Sequence, residues 1–308
     1  MQYGTVGGLI AAANKLRTMP LLQFGAIPIV QRIVLTMRQV GIFPIVIVID
    51  PQDRELIHAL SPFGVIFLQQ EDIGDTELLS SLKLGLRFLH GKCGRVLFSP
   101  VNTPMASPQT LRRLLASPSE IVRPSFCGRS GHPVVLADTE IDEILRFDGD
   151  GGLRAALQKM SERTEWVVTE DDGVLLTVHN AAQMQAHLQQ HNRTLLAPEL
   201  HLSIRTDEPL LEPRMKLLLF LIANLQSVQA ACRCMGLSTA TAWNMINRVE
   251  RILRAPIVLR RQGGRQGGKT ALTERGYALA CAFRQYEQEL RDYAQIRFDE
   301  LFTKGDLL

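Results

Sequence analysis

Residues 44–50 read PIVIVID. Five β-branched apolar residues in succession, closed by an aspartate, leave no polar face. An amphipathic strand would alternate, so this run predicts a strand covered on both sides. GVIFLQ (64–69) and RVLFSP (95–100) have the same character. Between and around them lie stretches with helical periodicity: Ile27–Val40, Asp53–Leu60, Thr76–Leu89 and Pro108–Ala116. Strand–helix alternation of this kind predicts an α/β fold, a parallel sheet with helices on both faces. PVVLA (133–137) and VLLTV (174–178) are expected as further strands, and Ala181–His191 as a further helix.

The pattern changes after residue 191. A mixed, Pro-containing segment, HNRTLLAPELHLSIRTDEPLLEPR (191–214), precedes helical stretches at 215–225, 228–235, 239–253 and 273–302. The expected organisation is therefore a first domain over 1–191, a linker over 192–198 and a second, mainly helical domain over 199–308. The chain has 308 residues and a net charge of only +3, which by itself names no partner. The distribution of charge is more telling. Residues 233–275 hold nine basic residues against two acids, the footprint of a surface that meets nucleic acid. Five scattered cysteines argue against a disulfide framework, and no apolar run reaches the ~18 residues of a membrane span. A cytoplasmic protein is the expectation.

In the C-terminal half, Ser227 and Ser238 stand where helix N-caps belong, with Gly236 breaking the chain between two short helices. The second helix places Ala242, Met245, Ile246, Val249 and Leu253 on an inner stripe. Thr239, Thr241, Asn244 and Arg248 remain for its outer face, where they would meet base edges and phosphates. GGRQGGKT (263–270) satisfies the G-x-x-x-x-G-K-[ST] phosphate-loop pattern. That pattern requires a helix at its Lys-Thr. Here PIVLRR precedes the glycines and KTALT follows, so a hairpin is expected, with Arg260, Arg261, Arg265 and Lys269 along it. This whole stretch, with its A-A-x-x-x-M-G-L-S, Ala242–Trp243 and R-x-G-G-R-x-G-G elements, resembles the winged helix-turn-helix domain of ModE-type molybdate-responsive regulators, relatives of LysR-type proteins. The resemblance implies binding to double-stranded DNA as a homodimer. Ala280, Phe283, Tyr286, Leu290, Tyr293 and Leu301, on the helix after the hairpin, are candidates for the dimer seam.

The N-terminal half carries a second resemblance. GGLIAAANKLRTMPLLQFGAIPIVQRIV (7–34), GDTELLSSLKLGL (74–86), SPVNTPMASPQTLRRLL (99–115) and RPSFCGRSGHPVVL (123–136) are similar to the MobA-like molybdenum-cofactor nucleotidyltransferases, on the cytidylyl-transferring side. This implies a Rossmann-like sheet that binds a nucleotide, with Mg²⁺ held by aspartates. The departures are concentrated at the chemistry. Ala13 replaces a loop glycine, Met19 stands in the place of the phosphate lysine, and Asn102 and the Thr177/His179 pair stand where metal-binding acids are expected. Mg²⁺ prefers anionic oxygen, and nucleotidyl transfer depends on it to neutralise phosphate charge. The resemblance thus implies a scaffold that keeps a ligand pocket, with Arg17, Ser81, Asn102, Gly128, Gly131 and His132 as candidate contacts, and that has lost catalysis and its metal. No cofactor is required by this reading. The ligand would be a small-molecule effector such as a nucleotide or molybdopterin, with Mg²⁺ needed only if transfer persists. The alternative is an active molybdenum-cofactor cytidylyltransferase that also binds DNA. His187 and His191, four apart, and the acidic EDD (170–172) read as an exposed helix face and a solvated loop.

Overall fold

A computed structural model describes residues 3–13, 19–71, 77–260 and 269–303. The chain divides into two units, Met1–Leu196 and Ala197–Leu308. Helix Ala181–Thr194 continues three residues into the stretch expected as linker, so the ordered first unit is longer than the sequence suggested.

The first unit is built on seven principal strands: β1 (Tyr3–Ala11), β2 (Ile45–Ile49), β3 (Ile66–Gln69), β4 (Cys93–Pro100), β5 (Ile121–Phe126), β6 (Val134–Ala137) and β7 (Thr164–Val168). Their order across the sheet is β3-β2-β1-β4-β6-β5-β7. The quoted run is β2. All five of its residues are buried, and it lies parallel between β1 and β3, as a strand without a polar face must. The sheet is mixed rather than parallel throughout. β6 runs antiparallel to both β4 and β5. The physical reason is the short connection after β5, too short for the crossover of a dozen or more residues that a parallel partner requires.

Helices α1 (Ile29–Gln39), α2 (Arg54–Leu60), α3 (Glu77–Leu89), α4 (Pro108–Ala116), α5 (Asp138–Arg146), α6 (Gly152–Lys159) and α7 (Ala181–Thr194) complete the unit. Segment 174–178 is not a strand. It passes between two 3₁₀ turns, Asp172–Val174 and Val178–Asn180, with Val174 and Leu176 inserted into the core. The sheet edge is β7 instead.

Arg32 of α1 is 1 % exposed. Its guanidinium donates to the Phe24 carbonyl from Nε at 3.0 Å, and from Nη1 to Asn192 Oδ1 at 2.8 Å and His191 Nδ1 at 3.3 Å. The buried cation is met by neutral acceptors that join the turn before α1 to the last helix.

In the second unit a short hairpin, β8 (Ile204–Arg205) with β9 (Pro209–Leu211), leads into α8 (Pro213–Leu225), α9 (Val228–Met235) and α10 (Thr239–Leu253). Then come β10 (Val258–Arg260), β11 (Thr270–Leu272) and the 25-residue α11 (Glu274–Phe298). Residues 217–222 of α8 are all buried, so this helix is the centre of the unit and its apolar character runs all round. Three caps set the helix starts. The Ser227, Ser238 and Thr273 side chains accept from the backbone N–H groups of Ala230, Thr241 and Gly276. Gly236, at φ +61°, turns the chain between α9 and α10. β10 and β11 pair antiparallel, Val258 with Leu272 and Arg260 with Thr270. The expected hairpin is thus formed at its base. After α8 this unit therefore runs as two helices joined at a glycine turn, a strand pair and a long helix. Among the described residues no helix is long and apolar enough to cross a membrane.

Candidate functional site

β1 and β4 are neighbours, and the chain leaves them towards opposite halves of the sheet. Such a switch point opens a crevice at the carboxyl ends of the strands. The loop after β1 is pinned there: Ala12 N and Ala13 N both donate to the Val48 carbonyl, at 2.9 and 2.7 Å. Arg17 lies outside the described residues. Asn102 follows β4 and is half-buried. Its carbonyl accepts from Val178 N at 2.9 Å, which lays the Thr177–His179 stretch against it. The fold therefore joins the two positions at which the sequence lacks acids. Together they present an amide, a hydroxyl and an exposed imidazole, and no carboxylate. Asp50, at the end of β2, is buried and accepts from Gln52 N at 2.8 Å. Among the described residues no group of three or more His, Cys, Asp or Glu could hold a metal ion. This donor set does not fit the Mg²⁺ that the fold implies.

The other ligand candidates divide. Ser81 is fully buried and donates to Gln70 Oε1 at 2.6 Å, so it serves the interior. Cys127 and Gly128, at φ +48° and +74°, form the two-residue turn between Phe126 and Arg129. A Cβ on Gly131 would sit 2.6 Å from the Val174 carbonyl oxygen. The fold by itself accounts for these three residues. His132 is different. Its ring stands edge-on to Phe98, centroids 6.2 Å apart, and its buried Nδ1 has no partner among the described residues. Burial, aided by the charge of Arg123, lowers its pKa from the usual 6.5 to about 4. It is neutral at pH 7.

A cavity of about 300 Å³ lies between the start of α4, the end of β7 and α7. Its wall includes Ser107, Thr110, Asp171, Asp172, His187 and His191. Asp171 accepts from Ser107 N (2.8 Å), Thr110 Oγ1 (2.6 Å) and Gly173 N (3.0 Å). His187 Nε2 lies 2.9 Å from Asp172 Oδ2. His191 is 4 % exposed. Its pKa falls to about 4, chiefly by burial and then through the charge of Arg32, with the Ala106 backbone opposing. The EDD segment and the two histidines are thus built into a cavity wall, not spread on a solvated loop and helix. Sequence separations of about 60 residues hide that network.

On the second unit, Thr239, Thr241 and Asn244 of α10 are exposed while Ala242, Met245, Ile246 and Val249 are buried. Ser227 and Ser238 are spent on caps, and the Ser238 hydroxyl also lies 2.8 Å from Thr241 Oγ1. Arg248 corrects the sequence reading. It turns inward, 3.6 Å from Glu212, and is half-buried. Arg251 pairs with Glu208, and Arg260 with Glu250 at 3.0 Å. Among the described residues three of these basic side chains therefore pair with acids, two of them with Glu208 and Glu212, which flank β9 and which no local window counts. Lys269 is exposed, whereas Arg261 and Arg265 lie outside the described residues.

Comparison with known proteins places the first unit. Residues 17–164 match the MobA-like NTP transferase domain. Solved structures agree in fold. A nucleotidyl transferase from Methanothermobacter superposes with a TM-score of 0.52 at 19 % identity, covering 60 % of this chain and 98 % of that one. The 4-diphosphocytidyl-2C-methyl-D-erythritol synthase of Anaerococcus prevotii gives 0.51 at 15 %, covering 60 % and 96 %. At these identities the likeness is one of fold. The C-terminal region is similar to the molybdenum transport protein ModE of Azotobacter vinelandii, 34 % identical over 84 residues, which is 26 % of this chain and 31 % of that protein. It is also similar to the molybdenum-pterin-binding protein MopA of Rhodobacter capsulatus, 38 % identical over 66 residues, 21 % of this chain and 25 % of that protein. The chain thus spans about a third or less of the length of these relatives.

Proposed function

We propose that this protein is a DNA-binding transcriptional regulator of molybdenum or molybdenum-cofactor metabolism, whose MobA-like domain binds a small molecule without transferring nucleotide. One observation carries the reading: α10 turns Thr239, Thr241 and Asn244 outward beside a hairpin whose sequence is rich in Arg, Lys and Gly. Exposed polar groups at the start of a helix meet base edges, and cations on an adjoining hairpin meet phosphates. The similarity of the C-terminal region to ModE supports the metabolic assignment. The missing carboxylates beside Asn102 support loss of transfer. The effector would be a nucleotide, molybdopterin or a precursor, held at the switch-point crevice by Arg17, Asn102 and His132. It regulates only if it binds one arrangement of two DNA-binding heads better than another. The exposed Tyr286, Tyr293, Ile296, Leu301 and Phe302 on and after α11 supply the apolar face for a homodimer.

The test is binding of the full chain to a 30-base-pair mixed-sequence duplex at ionic strengths between 50 and 200 mM. Affinity should fall steeply with salt, with a slope of about 0.9 per phosphate contacted. The doubly substituted Arg261→Ala/Arg265→Ala protein should bind more weakly and with a shallower slope. A wild-type chain that ignores duplex DNA across this range overturns the reading.

A further inference from the structure

The base of the hairpin is bolted to α10 by one carboxylate. Glu250 Oε1 accepts from two successive backbone N–H groups, Ile257 at 2.9 Å and Val258 at 3.2 Å, where the chain enters β10. Its other oxygen, Oε2, accepts from Arg260 Nη2 at 3.0 Å, two residues further along the same strand. The Arg260 guanidinium donates in addition to Asn247 Oδ1 at 2.7 Å and lies over the Trp243 ring, 4.8 Å from its centroid. Trp243, Asn247 and Glu250 are spaced by four and three residues, so they share one face of α10. The Glu250 side chain is 18 % exposed while that of Arg260 is 55 % exposed. The acid is therefore at the bottom of the joint and the cation is its outer brace.

This joint fixes β10 against α10. It also explains an acid in a stretch otherwise dominated by bases. A carboxylate beside a DNA backbone is electrostatically unfavourable and tolerable only where it organises something else. We infer that Glu250 is the positioning residue of the candidate DNA interface: by gripping Ile257, Val258 and Arg260 it holds β10 and its partner β11 beside α10, so that Arg260 and Lys269 reach phosphates while the start of α10 reaches base edges. This rests on the DNA-binding reading.

The two roles open to an acid here have opposite signs, which makes the inference testable. If Glu250 is only a surface charge, Glu250→Ala removes repulsion and releases Arg260, and duplex binding tightens. If it positions the hairpin, Glu250→Ala weakens binding. The full chain would be titrated with the same 30-base-pair mixed-sequence duplex across the same salt range. Glu250→Ala is expected to lower affinity at least tenfold and to reduce the salt slope by about 2, as the phosphates met by Arg260 and Lys269 are lost. Glu250→Gln keeps an oxygen for the two backbone amides and should bind within threefold of wild type. Unchanged or tighter binding by Glu250→Ala, with the wild-type slope, overturns the inference and leaves the DNA-binding reading intact. Absence of binding by the wild-type chain overturns both. Should Glu250→Ala not fold, Glu250→Gln decides: wild-type affinity supports the positioning role, and binding tighter by more than threefold rejects it.

Discussion

At the scale of single residues, His191 shows how a side chain becomes part of the stability of the first unit. Its Nδ1 takes a hydrogen bond from Arg32, so the ring is neutral with its proton on Nε2. The folded pKa of about 4 lies below the ordinary 6.5. Between these values the unfolded chain binds a proton and the folded chain does not. The stabilisation is therefore complete above pH 6.5 and is lost as pH falls towards 4, by on the order of 3 kcal/mol. His132 acts in the same direction. Urea unfolding at pH 7 and pH 4 should show the wild type losing more stability than His191→Gln. Equal losses would remove His191 from the account. Gly131 makes a complementary prediction. Its alanine variant would force a Cβ against the Val174 carbonyl, so destabilisation of about 2 kcal/mol or more is expected in the same assay.

At the scale of elements, the caps of the second unit are separable from its fold. Ser238→Ala removes the acceptor for Thr241 N and should lower stability by about 1 kcal/mol, read as a fall in Tm, with α10 retained. A Tm within error of wild type would mean that water replaces the cap without loss. This level was also the most legible in the sequence. β2 declared itself because burial on both faces forces an unbroken apolar run, and the caps at Ser227 and Ser238 declared themselves because few residue types can do that work. β7 was missed: an edge strand tolerates the exposed Glu165, Trp166 and Val168, which break the apolar signal. Segment 174–178 was misread in the opposite sense, because an apolar run says that side chains are buried and not which backbone carries them. The candidate sites were less legible than the fold. Asn102 and Thr177–His179 could be paired only through family resemblance, and the turn of Arg248 towards Glu212 has no local signature at all.

At the scale of the whole molecule, the two units divide the proposed work. The first unit has a crevice at its sheet switch point, while among the described residues Asn102, Thr177 and His179 offer no anionic ligand to a divalent cation. The full chain, given CTP or GTP with Mg²⁺ and molybdopterin, should release no pyrophosphate above the background of the uncatalysed mixture. Sustained release that Asn102→Ala abolishes would instead establish the cytidylyltransferase reading. Charge accounting at this scale differs from accounting by segment. Glu208 and Glu212 pair with Arg251 and Arg248, so the positive charge of this region is more balanced than residues 233–275 suggest.

The Arg32 clasp has a consequence for how the protein is made. Its acceptors at His191 and Asn192 are 159 and 160 residues downstream. During synthesis the guanidinium emerges long before either group exists, and closing so long a loop is slow relative to forming local contacts. A nascent chain arrested before α7 therefore carries an interior cation lacking its partners there. The first unit can complete its interior only when translation has passed residue 192, by which point the ribosome is about to supply the second.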